Sequence, residues 1–368
     1  MTVLREIRAM ILAIALFAPS AVAAQNAPDP AIEAQARGEV IETLGSELRA
    51  NYVFPEVAER VATELQARAA AGAYDSAKSA QAFASALHED LRAIGKDGHF
   101  TVRYRPDFQP YEPEETGLPG EAEIAEMRQQ SAREAYGIAR IERLAGNVGY
   151  LDMRGFIQPE FAAPAYEAAM QLLDGSDAII VDVRSNGGGD PQSVAQLMSH
   201  FLPLGTDLLI NSIYDRPEDT TRHFWNDRAV GTRFTGPVYV LTSDYTFSGG
   251  EEFAYDMQTH GRGTLIGETT GGGANPGAMM QIGHGLIAFI PTGRAINPIT
   301  GTNWEGTGVA PDHPVAADKA LHTALAMALE RIAGETGDAE RRQKLAGLLA
   351  KLRNGDVALP QWKHPRRN

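Results

Sequence analysis

The stretch that most constrains this fold runs from Gly236 to Tyr255 and predicts a buried strand, a short polar turn and a helix. Residues 238–241, Val-Tyr-Val-Leu, are a β-branched and aromatic run typical of an interior parallel strand. The pattern from Glu251 to His260 predicts the helix that follows. Strands separated by helices pair in parallel through right-handed crossovers, so the chain is predicted to have an α/β fold.

Ser248 lies at the turn between this strand and this helix and is followed by Gly249 and Gly250. The first amides of a helix have no intrahelical partner, so they stabilise negative charge that develops on a reacting oxygen. The two glycines leave room for a substrate. Ser248 is therefore a candidate nucleophile. The alternative is that Ser248 is the helix N-cap, with Glu251 completing a capping box.

Between the N-terminal segment and this region, the chain is predicted to contain a small helical subdomain. Apolar residues recur at three- and four-residue spacing over 31–48, 54–71 and 80–94. The subdomain ends in a turn and strand over 95–104. Residues 105–120 contain four prolines and an acidic run, which indicates an exposed connector.

From residue 138 onward the sequence alternates between strand and helix patterns. Strands are predicted at 146–153, 178–184, 238–243, 264–267 and 286–291, and helices at 160–173, 192–201 and 251–260. The mixed segment 202–235 is long enough to be a lid or a substrate-facing excursion. Residues 316–353 are rich in Ala and Leu and are predicted to form a helical tail packed on the core.

The N-terminus has the layout of a secretory signal peptide. Arg5 and Arg8 precede an apolar run from Ala9 to Ala18, and small residues end the segment at Ala24. The apolar run is too short to span a bilayer, although a retained anchor helix is the alternative. We expect an exported protein, periplasmic or extracellular, with no membrane span after signal cleavage.

Composition excludes several classes of partner and site. The formal charge of −14 argues against nucleic acid or an anionic membrane as a partner. The chain has no Cys, which excludes disulfides, thiolate catalysis and Cys-based zinc sites. The oligomeric state stays open.

A second Gly-rich element follows the predicted strand 178–184, as Asn186-Gly-Gly-Gly189. It matches neither a dinucleotide loop nor a P-loop, because Gln192 stands where the third glycine belongs and no Lys follows. One of its amides could pair with the amide of Gly249 as an oxyanion hole. A plain tight turn is the alternative.

A nucleophilic serine needs a general base, and the sequence limits which Lys or His residues can serve as that base. No Lys occurs between Lys96 and Lys319, which excludes a local Lys base. His99 stands alone between a glycine and a strand and is the candidate, with a structural loop His as the alternative. As a base it must be neutral, so we expect an acidic limb within about one unit of pH 6.5.

Glu305 is the candidate third group, because a carboxylate beside Trp304 in a loop rich in Gly, Asn and Pro can orient an imidazole. A loop carboxylate that caps backbone amides is the alternative.

These elements together resemble a known family, the tail-specific (C-terminal processing) serine peptidases. The chain is most similar to the branch that contains the tricorn core and the repeats of interphotoreceptor retinoid-binding protein. The resemblance covers roughly residues 30–325. The segments that carry it are Asn51–Pro55, Asp97–His99, Val181–Gly189, Thr246–Ala254, Gly261–Asn275 and Trp304–Asp312.

The resemblance implies Ser248 as nucleophile, His99 as general base and Glu305 as the acid that orients the base through a relay. It implies an oxyanion hole at the amides of Gly249 and Gly188. It implies no metal and no organic cofactor.

Two departures from the family pattern matter. Gly273 occupies the place of the catalytic Lys of the tail-specific branch, and Gly98 occupies the place of the Ser that precedes the tricorn His. The link from His99 to Glu305 must therefore use another hydroxyl, such as that of Thr307, or a water molecule.

The predicted architecture is α/β, with a helical N-terminal subdomain and an open-sheet, crotonase-like (ββα) core. The space at 105–137 is too short for a PDZ domain. The predicted segments are 1–24 signal peptide, 25–104 helical subdomain, 105–137 connector, 138–315 peptidase core and 316–368 helical tail.

The predicted function is an exported serine peptidase that hydrolyses peptide or protein substrates through an acyl-enzyme. The rival function is a non-catalytic binder of apolar ligands or peptides on the same fold. An α/β-hydrolase esterase fits less well, because the chain has no G-x-S-x-G and the base precedes the nucleophile.

Overall fold

The computed structural model describes residues 29–109, 120–205 and 207–366. The predicted signal peptide and the middle of the predicted connector lie outside these residues. Within the described ranges, no helix has both the length and the apolar character that a bilayer crossing requires. The described chain forms two compact units. Unit 1 contains the described residues up to 121 together with 213–222 and 273–296, and unit 2 contains the remainder.

These units group the residues differently from the sequence-based domains, whose boundaries stay a prediction. Segments 213–222 and 273–296 were assigned from sequence to the peptidase core, whereas they lie in unit 1.

Unit 1 packs three helices against a three-stranded antiparallel sheet. The helices are α1 (Ala34–Asn51), α2 (Pro55–Ala70) and α3 (Ala80–Gly95). The sheet has the order β1-β10-β9, formed by β1 (Thr101–Tyr104), β9 (Gly277–Gly283) and β10 (Leu286–Pro291). Apolar side chains from the helices and from this sheet form one core, which includes Leu44, Phe83, Phe100 and Ile290.

The turn between α3 and β1 carries the predicted base. Lys96 ends α3 in a left-handed conformation with φ 55°, and Phe100 is buried in the core on the other side of the turn. His99 is therefore held between a helix end and a strand of unit 1.

Unit 2 contains a six-stranded sheet of order β12-β8-β7-β4-β3-β2. Its strands are β2 (Ile138–Leu144), β3 (Val148–Met153), β4 (Ala178–Asp182), β7 (Val238–Thr242), β8 (Thr264–Gly267) and β12 (His313–Pro314). β2 pairs with β3 in the antiparallel sense, and the other pairings are parallel. β3, β4 and β7 are buried along their whole length, as expected for strands covered on both faces.

The helices described from residue 121 onward are α4 (Glu121–Arg133), α5 (Pro159–Leu173), α6 (Pro191–Ser199), α7 (Gly249–Thr259), α8 (Ala317–Glu335) and α9 (Ala339–Arg353). Apolar residues of α8, including Leu321, Leu325 and Leu329, pack on β4, β7 and β8. The predicted helical tail thus forms part of the core of unit 2.

One segment contains strands that were not predicted, and one sequence-based assignment was wrong. The segment 202–235 contains a strand pair, β5 (Leu209–Asp215) and β6 (Thr220–Trp225), which joins β11 (Gly293–Ile296) in a sheet of order β11-β5-β6. The strand at 286–291 was grouped with the parallel core, whereas β10 pairs antiparallel with β1 and β9. Alternating patterns locate strands, but they do not reveal which distant strands pair.

Candidate active site

Ser248 occupies the turn between β7 and α7 in a strained conformation. Its backbone has φ 52° and ψ −122°, values that a non-glycine residue rarely adopts. The side chain is half-buried. Such strain persists only where the surrounding contacts hold it, and it is common at active sites.

Three hydrogen bonds hold the segment before Ser248 against the end of β4. Ser243 Oγ donates to the Arg184 carbonyl at 2.6 Å, and Thr246 Oγ1 donates to the Val183 carbonyl at 2.8 Å. The Phe247 amide donates to the carbonyl of Asn186 at 3.1 Å. Because β4 and β7 are parallel neighbours, the turns that follow them meet at one edge of the sheet. The structure thereby brings the serine turn and the second Gly-rich loop together.

The glycines at this edge are needed for close approach. A Cβ on Gly188, which has φ 117°, would lie 2.8 Å from the Cβ of Ser248 and 3.2 Å from the Gly249 amide nitrogen. A Cβ on Gly249 would lie 3.0 Å from the amide nitrogen of Gly189. Any larger residue at Gly188 would displace the serine turn.

The amide of Gly188 has a different partner from the one predicted. It donates to Asn186 Oδ1 at 2.8 Å. The Gly188 N–H, which was expected to face an oxyanion, is therefore already engaged by the Asn186 side chain. Gly189 is the next amide of the loop and lies beside Gly249. Sequence alone could not separate Gly188 from Gly189, because the choice depends on the orientation of one peptide group.

The capping-box alternative for Ser248 is present. The Ser248 amide donates to Glu251 Oε2 at 2.9 Å, and the Ser248 side chain faces the Glu251 amide without the geometry of a full cap hydrogen bond. The carboxylate of Glu251 therefore fixes the backbone of Ser248.

Glu251 also binds the loop that follows β8. Its Oε1 accepts from Thr270 Oγ1 at 2.5 Å and from the Gly272 amide at 2.6 Å. Glu251 itself is fully buried. From sequence it was assigned only as a possible cap partner, and Thr270 was not singled out.

The loop that carries Glu305 is joined to the same network. The Val309 amide donates to Thr270 Oγ1 at 2.7 Å, and the Gly306 amide donates to the Gly272 carbonyl at 3.0 Å. Trp304 is buried and Glu305 is half-buried. This places Glu305 on a braced loop of unit 2.

The hydroxyl of Thr307, which was predicted as a possible relay, lies 3.3 Å from the carbonyl oxygens of Trp304 and of Gly308. These contacts direct it into its own loop.

His99 belongs to unit 1 and lies in an apolar setting. Its ring stacks on Phe289 with centroids 5.9 Å apart, and the residue is 8% exposed. Burial, with a smaller contribution from the positive charge of Arg92, lowers the pKa of His99 to about 3. The imidazole is therefore neutral at pH 7, as a base must be. If His99 is the base, this lowered pKa places the acidic limb below the value near 6.5 expected from sequence.

A carboxylate that sequence analysis did not assign lies beside this ring. Asp97 Oδ1 accepts from the His99 amide at 2.9 Å and lies 3.8 Å from His99 Nδ1. Asp97 Oδ2 accepts from Tyr52 Oη at 3.1 Å and from Asn275 Nδ2 at 2.9 Å. Burial raises the pKa of Asp97 and these hydrogen bonds oppose the rise. The Asp-Gly-His spacing was visible in the sequence, but the partners Tyr52 and Asn275 are distant in the chain.

Comparison with known proteins gives the family. The profile of peptidase family S41 matches residues 147–315. The profile for the N-terminal domain of peptidase S41 in eukaryotic IRBP matches residues 33–139. The chain belongs to peptidase family S41. The first profile covers the predicted nucleophile and acid, and the second covers the predicted base.

Among individual S41 relatives, the tail-specific protease of Haemophilus influenzae is 33% identical over 97 residues, which are 26% of this chain and 13% of that protein. The tricorn protease of Thermoplasma volcanium is 30% identical over 135 residues, which are 36% of this chain and 12% of that protein. The matched segments thus span about an eighth of the length of each of these relatives.

A solved structure of mature CPAF resembles this fold with a TM-score of 0.53 at 10% identity, covering 88% of this chain and 99% of that one. The predicted fold class, α/β with a helical N-terminal part and a sheet core, is confirmed.

Proposed function

We propose that this S41 protein is an exported serine peptidase whose nucleophile is Ser248, whose general base is His99 and whose acidic member is Glu305. The observation that carries the proposal is the strained backbone of Ser248, held at φ 52° beside the amide of Gly249 at the start of α7. A serine that served only as a cap would not need this conformation, because N-cap residues ordinarily have extended backbones.

The chemistry follows from the groups at the turn. Ser248 Oγ attacks the carbonyl carbon of a peptide bond while His99 accepts the hydroxyl proton. The negative charge on the carbonyl oxygen is stabilised by the amide of Gly249, with Gly189 as the second donor in place of Gly188. The protonated imidazole then gives its proton to the leaving amine, which leaves an acyl ester on Ser248. Water activated by the same imidazole hydrolyses this ester.

The position of Asp97 in unit 1 indicates which ring nitrogen of His99 acts as the base. Asp97 Oδ1 lies 3.8 Å from Nδ1, so a proton on Nδ1 is favoured by the carboxylate. Nε2 is then the nitrogen that accepts the proton of Ser248. Glu305 adds negative charge that stabilises the imidazolium when it forms.

The substrate class is peptide or protein, and export rests on the signal-peptide pattern of residues 1–24. Export is tested by expressing the full chain with a C-terminal tag in a Gram-negative host. We expect recovery outside the cytoplasm of a chain that begins after Ala24. A full-length cytoplasmic chain would contradict export without affecting the peptidase proposal.

The peptidase proposal is tested with Ser248→Ala. Wild-type protein should hydrolyse a mixture of unstructured peptides, and the variant should lose activity by several orders of magnitude while keeping its thermal melting curve. A variant that keeps more than about a tenth of wild-type kcat would exclude Ser248 as nucleophile. A wild-type protein that binds peptides without cleaving them would instead support the binder.

A further inference from the structure

We propose that Glu251 and Asp97 are paired positioning residues, one in each unit, that hold the nucleophile and the base by the same device. Each is a buried carboxylate that accepts the backbone amide of the catalytic residue together with two further donors. The proposal rests on the assignment of Ser248 and His99 above and adds two residues to which the sequence analysis assigned no catalytic or positioning role toward substrate.

The device in unit 2 is built on Glu251. The carboxylate accepts the Ser248 amide at 2.9 Å, the Thr270 hydroxyl at 2.5 Å and the Gly272 amide at 2.6 Å. Hydrogen bonds to an ionised carboxylate are about twice as strong as those between neutral groups. Three of them at a fully buried site fix the φ and ψ of Ser248, which would otherwise relax out of the strained region.

The same carboxylate connects two parts of the site in unit 2. Thr270 Oγ1 donates to Glu251 and accepts from the Val309 amide at 2.7 Å, so it joins the serine turn to the loop of Glu305. Glu251 and Thr270 therefore set the position of the nucleophile and of the acidic loop together.

The device in unit 1 is built on Asp97. Its carboxylate accepts the His99 amide at 2.9 Å, the Tyr52 hydroxyl at 3.1 Å and the Asn275 side-chain amide at 2.9 Å. Asp97 is 2% exposed, so these bonds do not compete with bulk water. Its distance of 3.8 Å from Nδ1 adds a second effect, because it favours the tautomer in which Nε2 accepts a proton.

Both carboxylates need their charge for this role. A carboxylate accepts all three donors, whereas Gln or Asn offers one acceptor oxygen and an NH₂ group that faces at least one donor. The conservative amide variants therefore disrupt the device while preserving side-chain volume. A displacement of about 1 Å at a reacting atom costs on the order of a hundredfold in rate.

The test for Glu251 uses its neighbour as a matched control. Glu251→Gln and Glu252→Gln alter adjacent, buried carboxylates of the same helix, but Glu252 Oε1 has no hydrogen-bond partner among the described residues. We expect Glu251→Gln to lower kcat about a hundredfold with KM changed less than threefold, and Glu252→Gln to leave both close to wild type. The rate of Ser248 labelling by a fluorophosphonate should fall in parallel with kcat.

Thr270 keeps the test decisive if Glu251→Gln does not fold. Thr270→Val removes one donor from Glu251 with little change in shape, and Thr270→Ser restores the hydroxyl. We expect Thr270→Val to lower kcat about tenfold and Thr270→Ser to recover it. The exposed neighbour Thr269, changed to Val, should have no effect.

For Asp97, the variant is Asp97→Asn, with Tyr52→Phe as the milder change that removes one of its donors. We expect Asp97→Asn to lower kcat about a hundredfold, to leave KM within threefold and to alter the pH dependence of kcat/KM. Within the described part of unit 1, Asp97 and Arg92 are the charged groups that act on the His99 ring. Arg92 is kept unchanged, so that any change in the pH dependence comes from Asp97.

The outcomes separate the two levels of the proposal. If wild-type protein shows no hydrolysis that depends on Ser248, the proposed function fails. If it does, and folded Glu251→Gln and Asp97→Asn keep wild-type kcat and labelling rates, the positioning device is overturned. A loss of melting temperature with unchanged kcat would assign both carboxylates to stability alone and would also overturn it.

Discussion

The surroundings of Ser248 in unit 2 and of His99 in unit 1 control different properties of these residues. The serine turn is rich in glycine and is tied by hydrogen bonds, so its surroundings determine geometry: a strained backbone and close approach to the loop after β4. His99 lies against Phe289 in an apolar setting, so its surroundings determine protonation, lowering the pKa. The proposed nucleophile is thus prepared by position and the proposed base by desolvation. In both, a buried carboxylate accepts the backbone amide of the proposed catalytic residue.

The largest effect that tests this comparison is loss of the base. We expect His99→Ala to lower kcat/KM by about 10⁴-fold. Glu305→Gln should cost less, because a group that acts through the base contributes less than the base itself. Steady-state kinetics on one peptide substrate compares the two variants with wild type. If His99→Ala keeps activity while Glu305→Gln loses it, the roles are reversed and the base must be sought among other histidines, such as His284 or His313.

The next effect tests geometry at the serine turn. Gly188→Ala places a Cβ 2.8 Å from that of Ser248 at φ 117°, so we expect kcat to fall about a hundredfold. Gly205→Ala is the control, because Gly205 has a similar φ of 112° with no atom within 4 Å of the added Cβ among the described residues. Equal losses in the two variants would show that backbone strain, and not contact with Ser248, is responsible.

A smaller effect tests protonation of the base. Because burial lowers the pKa of His99 to about 3, kcat/KM should stay nearly flat from pH 7 down to about pH 5. The buried neutral ring also costs stability as the pH falls below its ordinary pKa of 6.5, since the unfolded chain binds the proton more readily. A pH–rate profile, with a melting curve at each pH, checks both. An acidic limb near 6.5 in folded protein would contradict burial as the controlling influence.

The smallest effect concerns the carboxylate next to Glu251. Burial raises the pKa of Glu252 from its ordinary 4.5 to about 7. Between these two pH values the folded state therefore keeps a proton that the unfolded state has released. Stability contributed by this group therefore falls as the pH rises from 4.5 to 7 and stays low above it. Glu252→Gln removes the penalty, and we expect it to stabilise the protein by about 2 kcal/mol more at pH 8 than at pH 5. Equal melting-temperature differences at the two pH values would refute this.

Local patterns predicted the elements that carry the site. The strand at 264–267 and the strand at 286–291 match β8 and β10 at both ends, and the helix after Ser248 begins within two residues of the predicted start. These segments have strong periodicity and clear turn residues. The pairing of β10 with β1 could not be predicted, because it joins strands about 180 residues apart, whereas β9 and β10 are consecutive in the chain.

The sequence could predict which residues of the candidate site stand at turns, but it could not predict which hydrogen bonds they make. Ser248 and Gly249 stand where a strand gives way to a helix, which a sequence shows. The engagement of the Gly188 amide by Asn186, and the three donors on Asp97, depend on side-chain orientations that no local pattern encodes. Tyr52 and Asn275 reach Asp97 from 45 and 178 residues away, whereas the bonds of the Gly188 and His99 amides are local and depend on side-chain orientation.

The most direct test of the central claim is covalent labelling of wild-type protein with a fluorophosphonate, followed by mass spectrometry of the intact chain and of its peptides. The account predicts one adduct per chain, located on Ser248, abolished in Ser248→Ala and strongly slowed in His99→Ala. Folded wild-type protein that takes up no label, or takes it up at a residue other than Ser248, would contradict the assignment of this turn as the nucleophile of a serine peptidase.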